Sequence, residues 1–359
     1  MKKRNSNVKK ISHKKIFKHL KEKKIYKIYK NFHKNLKTLN KNQNFCAAIS
    51  GGPDSMALAF LLKCFSEKFN HKCQFYHVNH GIRKNSSLEA DLVKNLIKKI
   101  NCDLKILKWR GKKPGTNIQS IARVNRYKLI FHEMKKKGIK TVFFGHTKED
   151  IFENFFLRLV RGSGLEGFVS LNSISVKSKE FTIYRPLINL EKKDLEYISR
   201  KVFGNYIKDP SNNNTEFTRV RVRNFLKFMN SEGFESKKFN LTIENLTESN
   251  KTINYYVNKN IKVNSRLDKK NSFGILSSSF FSEPDEIVFR SLSKILSLFG
   301  YKYYPPRGKK VVDLIKAIKT GKKNKFTLNG CILEKNSNLL LISKENITKN
   351  AKKHNLPLV

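Results

Sequence analysis

The chain has 359 residues, 39% of them hydrophobic, which is length for about two domains and apolar content enough to exclude global disorder. No apolar run approaches the ~20 residues of a membrane span, and the charged N-terminus lacks the apolar segment and small-residue cleavage site of a secretory signal. A net charge of +47 points to a polyanionic partner, but with 60 Lys against 15 Arg part of it is a Lys-, Asn-, Ile- and Phe-rich bias.

Residues 1–44 form a basic N-terminal extension, with 16 basic residues and one acid, Glu22. Ile16, Leu20, Ile25, Ile28 and Phe32 have weak helical spacing, so a tail followed by a helix is expected, either touching RNA or simply solvated. From 45 to 160 strand and helix alternate. Strands are predicted at Phe45–Ile49, Gln74–Val78, Leu104–Trp109 and Thr141–Gly145, with helices near 54–69, 86–100, 117–137 and 148–160. The first helix is apolar nearly all round, as burial against a sheet requires. Such alternation predicts a parallel sheet covered on both faces, with ligands at the carboxyl ends of the strands. A hairpin is expected around 171–185, then a helix over 191–203 ended by Gly204. Asp209-Pro210-Ser211-Asn212-Asn213-Asn214 reads as a turn-rich joint. Residues 216–300 read as mostly helical. A helix over 307–319 and strands near 325–329, 331–335 and 338–343 complete a small module. The expected class is α/β: a Rossmann-like parallel sheet over 45–230, a helical region over 231–300, and a small α+β domain over 301–359.

The five cysteines, Cys46, Cys64, Cys73, Cys102 and Cys331, form no CxxC pair and no metal-ligand spacing, and read as reduced thiols of a cytoplasmic protein. The arginines carry more information than the lysines, because Lys cannot copy their planar fork. They cluster as Arg123 with Arg126, Arg158 with Arg161, and Arg219 with Arg221 and Arg223. The last three alternate with Val220 and Val222, a pattern of extended backbone leading into a helix, with the arginines on one side.

The segment Ser50-Gly51-Gly52-Pro53-Asp54-Ser55 lies between the first strand and the apolar helix. Its glycines let backbone approach a ligand, the helix aims free N–H groups at the same point, and the two serines add hydroxyls. The loop suits pyrophosphate. It is not a Walker loop, since no Lys follows the glycines. Asp54 belongs in an anion site only if Mg²⁺ bridges it to phosphate. The alternative is a tight turn with a helix cap.

This hexapeptide resembles the SGGxDS signature of the PP-loop ATP pyrophosphatases. Further segments narrow the likeness: His77-Val78-Asn79-His80-Gly81-Ile82-Arg83, Gly145-His146-Thr147-Lys148-Glu149-Asp150, Arg161-Gly162-Ser163-Gly164, Arg185-Pro186-Leu187, and Asp209 to Asn212 followed by Phe217 and the three alternating arginines. Together they resemble the tRNA(Ile)-lysidine synthetase family, with specific motifs from about 45 to 230, a weaker likeness over 305–345, and no counterpart for 1–44. The resemblance implies that ATP adenylates the C2 oxygen of the wobble cytidine in a CAU-anticodon tRNA(Ile), and that free lysine then displaces AMP. It implies ATP and Mg²⁺ as co-substrate and cofactor and no membrane partner, and it leaves a homodimer open. It makes Ser50, Gly51, Gly52, Pro53, Asp54 and Ser55 the phosphate loop, with Asp54 binding Mg²⁺ or placing the nucleophile. Asp54, His146, Asp150 and Arg219 become the catalytic candidates, and Arg83, Arg123, Arg126, Arg221 and Arg223 the substrate and tRNA contacts. Asp150 could instead be an exposed first-turn residue, and His146, like His80, a hydrogen-bonded strand-end residue. The 231–300 region would bind tRNA, and the C-terminal module would contact the tRNA acceptor stem or body. Two departures stand out. Lys148-Glu149-Asp150-Ile151 lacks the family's paired Asp-Asp, and Thr147 replaces a common second His. The rivals are another adenylating enzyme of this fold such as a tRNA thiolase, an amidotransferase-type synthetase, and a basic RNA-binding protein without catalysis.

Overall fold

The computed structural model describes residues 16–36, 39, 43–83, 85–111, 115, 118–171, 175–177, 180–207, 215–216, 218–268, 270–300, 306–321 and 323–345. It divides into two compact units, Met1–Ile243 and Glu244–Val359.

The first unit is built on strands β1 (Asn44–Ala48), β2 (Lys72–Asn79), β3 (Leu104–Lys108), β4 (Thr141–Phe143), β5 (Ser175–Lys177) and β6 (Thr182–Tyr184), in the order β3-β2-β1-β4-β6-β5. All pairings are parallel except β5 with β6. The helices are α1 (Lys23–Lys34), α2 (Pro53–Phe69), α3 (Ser86–Lys98), α4 (Ile118–Lys136), α5 (Lys148–Val160), α6 (Leu165–Phe168), α7 (Lys192–Phe203), α8 (Thr218–Ser231) and the first part of α9 (Ser236–Asn264). Alternation along β1 sends Phe45 and Ala47 into a core with α1, α2, α3 and α7, and Cys46 into another with Ile130, Phe131 and Met134 of α4. Both sheet faces are therefore covered, as the near-continuous apolar strands require. Chain order reverses between β1 and β4, which places a crevice beyond their carboxyl ends.

Several expectations change. The segment read as an N-terminal extension supplies core: Ile25, Ile28, Tyr29 and Phe32 of α1 are buried. Asn35 donates to the Pro186 carbonyl at 2.8 Å, and Lys24 lies 4.3 Å over the Tyr197 ring. The apolar stripe decides this, because burying it outweighs solvating a Lys-rich helix whose charges sit on the other face. The stretch holding Arg219, Arg221 and Arg223 is not extended but helical, at the start of α8. Helical spacing sends Arg219 and Arg223 one way and Arg221 another. Gly204 does close α7, with φ +77°. The Asp209 to Asn214 joint and Phe217 lie outside the described residues.

The second unit holds the remainder of α9, β7 (Ser265–Asp268), β8 (Phe273–Ser277), α10 (Asp285–Gly300), α11 (Gly308–Thr320), β9 (Lys325–Leu328), β10 (Cys331–Asn336) and β11 (Leu339–Lys344). Its antiparallel sheet runs β7-β8-β11-β10-β9. Leu276, Leu333, Leu340 and Ile342 pack beneath α10 and α11 in one core. Residues 265–277 lie within the 216–300 stretch that reads as mostly helical. They form a hairpin because β8 pairs with β11, some sixty residues on, a partner that local pattern does not display. Residues 244–300 and 306–345 thus share a sheet and a core rather than forming successive modules.

The burial of α1 predicts that Phe32→Ala lowers unfolding stability by about 3–5 kcal/mol, measured by urea titration of the whole chain. A solvated extension would show no loss.

Candidate active site

The loop after β1 is shaped by contacts only glycine permits. Gly51 has φ +93°, and a Cβ there would lie 2.5 Å from Val93 Cγ2 and 2.9 Å from Ile207 Cγ1. Its carbonyl accepts the Ile207 amide at 2.9 Å. The Ser55 hydroxyl accepts from the amides of Ser50 (3.2 Å) and Gly51 (3.1 Å) and donates to the Gly52 carbonyl (2.9 Å). Ser55 therefore ties the loop together instead of offering a free hydroxyl. Gly52 caps α2 and Pro53 occupies its first turn, where no N–H is needed. From the other side, a Cβ on Gly145 would sit 3.3 Å from the Asp54 carbonyl and the Ser55 amide, so the chain after β4 runs directly against the loop.

Asp54 opens α2 with its Oδ1 withdrawn from solvent and without a hydrogen-bond partner among the described residues. Burial pushes its carboxyl up from 3.8 to about 7, Lys192 opposes that rise, and Asp150, Glu149 and Glu196 reinforce it. Lys192 opens α7, which is fixed against the loop: Ser199 Oγ donates to the Pro53 carbonyl at 2.6 Å, and the Lys192 amide donates to Glu149 Oε1 at 3.2 Å. Lys192 and Glu149 are site residues the sequence reading passed over. Among sixty lysines, no pattern distinguishes one.

Beyond β4, Asp150 is the third residue of α5, and its Oδ2 accepts the Thr147 amide (2.8 Å) and hydroxyl (3.3 Å) in a helix-capping arrangement. The Thr that departs from the family pattern is therefore buried and structural. His146 lies 5.9 Å from the Phe144 ring with Nδ1 buried and unpartnered among the described residues. Burial lowers it to about 3, with Asp150 opposing and Arg123, Arg185 and Arg219 pushing the same way. It is a neutral imidazole at pH 7, which suits hydrogen bonding to a ligand better than proton donation. His80 resembles it, lowered to about 4 by burial and then by Arg126 and His77, with both ring nitrogens buried and unpartnered among the described residues.

The arginines divide. Buried Glu153, one turn after Asp150, accepts Arg223 Nε at 2.7 Å and Nη2 at 3.3 Å, with Arg219 Nε at 3.7 Å. This clamp holds Arg223 within the field of Asp54 and Asp150. Glu153 was another omission, legible only as the i, i+3 partner of Asp150. Arg123 contacts Tyr127 through its hydroxyl (3.3 Å) and ring face (5.5 Å). Arg126 is lowered by burial, with Arg123 and Arg219 adding like charge. Arg185 is buried nearby and acts on His146. Two predicted contacts stand elsewhere. Arg221 donates to the carbonyls of Thr215 (3.1 Å) and Glu216 (3.0 Å), and Arg83 pairs with Glu89 on α3 at 2.9 Å. What converges is an amide-lined loop, carboxylates on two helix starts, and a ring of cations.

Among the described residues, no three His, Cys, Asp or Glu side chains form a metal cage. Mg²⁺ carried on phosphates needs only one or two carboxylates, and the unpartnered oxygen of Asp54 at an anion loop fits that demand.

Residues 18–229 match the PP-loop domain family, a span that begins before α1 and so includes it. Across most of its length the chain is similar to the tRNA(Ile)-lysidine synthase of Orientia tsutsugamushi (strain Boryong), 32% identical over 316 residues, covering 85% of this chain and 70% of that one. The tRNA(Ile)-lysidine synthase of Wolbachia pipientis wMel is 30% identical over 322 residues, covering 88% and 74%. Among solved structures, the U34-tRNA thiolase NcsA from Methanococcus maripaludis with its [4Fe-4S] cluster superposes with a TM-score of 0.55 at 19% identity, over 64% of this chain and 80% of that one. At that identity the likeness concerns the fold.

The raised Asp54 carboxyl has a stability consequence with a definite sign. Between its unfolded value of 3.8 and about 7, the folded chain holds the proton more tightly than the unfolded chain. Stability is therefore undiminished below the unfolded value and falls as pH rises through that window. Asp54→Asn should melt above wild type at pH 8, by at most ~4 kcal/mol, and match it near pH 4 in thermal unfolding.

Proposed function

This chain belongs to the tRNA(Ile)-lysidine synthase family of PP-loop proteins, and from that premise we propose that it joins lysine to the wobble cytidine of a CAU-anticodon tRNA(Ile) at the expense of ATP. The observation that carries the reading is Asp54: a buried carboxylate oxygen, unpartnered among the described residues, at the start of the helix that follows the loop and within the field of Lys192 and Asp150. Such a carboxyl is costly unless a cation and phosphates complete its surroundings. The five scattered cysteines, with no CxxC, disfavour sulfur transfer. Among the described residues, no helix is long and apolar enough to cross a membrane.

In this mechanism the Gly52 amide and the free N–H groups at the start of α2 hold the β- and γ-phosphates, Gly51 and Pro53 shape the approach, and Ser55 holds the loop through the Ser50 and Gly51 amides. Asp54 would hold Mg²⁺, which when bound neutralises charge on the leaving pyrophosphate. The C2 oxygen of cytidine forms a bond to the α-phosphorus as the bond to the β-phosphate bridge breaks. Arg123, Arg126, Arg219 and Arg223 lie where the α-phosphate and tRNA backbone charge must be balanced, and the Glu153 clamp holds two of them without side-chain reorganisation. In the second half the lysine ε-amine forms the C2–N bond, the C2–O bond breaks, and AMP departs with the oxygen. Asp150 and neutral His146 flank the attacking amine. Arg83 and Arg221 contact tRNA phosphates outside the crevice. Positioning and charge, more than acid catalysis, supply the rate.

Incubating the chain with ATP, Mg²⁺, lysine and this tRNA should yield AMP, pyrophosphate and lysine-bearing tRNA in equal amounts. Pyrophosphate release without lysine incorporation would overturn the assignment. Asp54→Asn should abolish adenylation while tRNA binding persists.

Lys192→Met removes the cation opposing Asp54's rise, so the carboxyl climbs further above 7. The acid limb of the adenylation pH profile should move to higher pH in that variant. An unmoved limb would separate Lys192 from the site.

A further inference from the structure

Two helices leave the crevice together. α5 carries Asp150 in its first turn and α8 carries Arg219 in its first turn, and they run parallel: Glu153 meets Arg219 and Arg223, and one turn on the Phe156 and Phe225 rings lie 5.6 Å apart. At their far end, roughly 15 Å from Asp150 by helical rise, the two helices present apolar side chains to solvent. Leu159 is 51% exposed, Val160 73%, Phe225 48% and Phe228 61%. Phe225 and Phe228 are three apart on α8, and Leu159 and Val160 follow Phe156 by three and four, so the spacing places them along one ridge. Exposed clustered aromatics of this kind mark a binding surface rather than ordinary surface scatter.

The charge around the ridge selects its occupant. From 154 to 165 and from 217 to 231 the chain contains no acid, while it carries Arg158, Arg161, Arg219, Arg221, Arg223 and Lys227. Arg158 already feels repulsion from Arg161 and Arg123. A second copy of this chain would bring the same cations against these, which disfavours self-association. A polyanion with flat apolar faces satisfies both features, and that describes single-stranded RNA with unstacked bases. We propose that the α5–α8 ridge is a stacking platform for unpaired bases of the RNA loop whose neighbouring nucleotide enters the crevice, with Phe225 and Phe228 as the platform and Arg158 and Arg161 on the flanking phosphates. The proposal rests on the assignment of an RNA substrate to this crevice and adds a recognition surface to it.

The test measures binding of the full chain to an RNA stem-loop carrying the CAU anticodon arm, alongside the KM for ATP. Phe225→Ala with Phe228→Ala should weaken stem-loop binding at least about tenfold, leaving the ATP KM and the slope of log K against log salt unchanged. Arg161→Gln should instead reduce that slope by about one. Phe228→Trp should retain affinity and Phe228→Leu lose it, since stacking and not mere apolarity is required; both changes are at an exposed position and leave the fold intact. Wild-type stem-loop affinity in the double variant overturns the ridge while leaving the lysine-ligation assay standing. A wild-type dimer that the double variant converts to monomer overturns it in favour of a second copy. Failure of the wild-type chain to bind the stem-loop overturns both the ridge and the RNA assignment.

Discussion

The site depends on how closely the end of β4 approaches the loop after β1. With Gly145 against the Asp54–Ser55 peptide, no side chain can stand between them, and the starts of α2 and α5 are pressed into one crevice. That closeness brings Asp54 and Asp150 into each other's field and withdraws Asp54 from water. Burial and then the neighbouring Asp150 raise the affinity of Asp54 for a proton, so the surrounding cations are a requirement of the geometry. Lys192 answers from α7, and Arg223 answers from α8 through its clamp on Glu153.

The same constraint explains how the chain manages without a Walker lysine. Positive charge reaches Asp54 from Lys192 on α7 and Arg223 on α8. α7 is seated by the Ser199 bond to the Pro53 carbonyl, and α8 by the buried Glu153. Each anchor is a buried polar contact, whose loss would leave an unsatisfied group as well as misplace a cation. His146 is kept neutral first by burial and then by the field of Arg123, Arg185 and Arg219, which would welcome phosphate. The cations serve substrate charge and set the protonation of their neighbours together.

Much of the first unit was legible because its signals are local. The strand–helix alternation, the all-round apolar α2 and the Gly51-Gly52 turn are properties of short windows, and each appears within a residue or two of its expected place. The exceptions have a common cause. Arg219, Arg221 and Arg223 alternate with valines like a strand, yet Glu153 on a neighbouring helix pairs with two of them and the stretch is helical. The β7–β8 hairpin acquires its structure from β11. Lysine abundance hid α1's role in the core and Lys192's role at the loop.

The sequence by itself determined the loop, its flanking strand and helix, and the family, because glycine's freedom and apolar periodicity are written in consecutive residues. Only the tertiary structure decided which charges meet. Glu149, Glu153 and Lys192 lie far in sequence from Asp54, and their pairing and their effect on it follow from distances that exist only once the helices pack. Coulomb energy depends on separation and on the local dielectric, and a one-dimensional pattern contains neither.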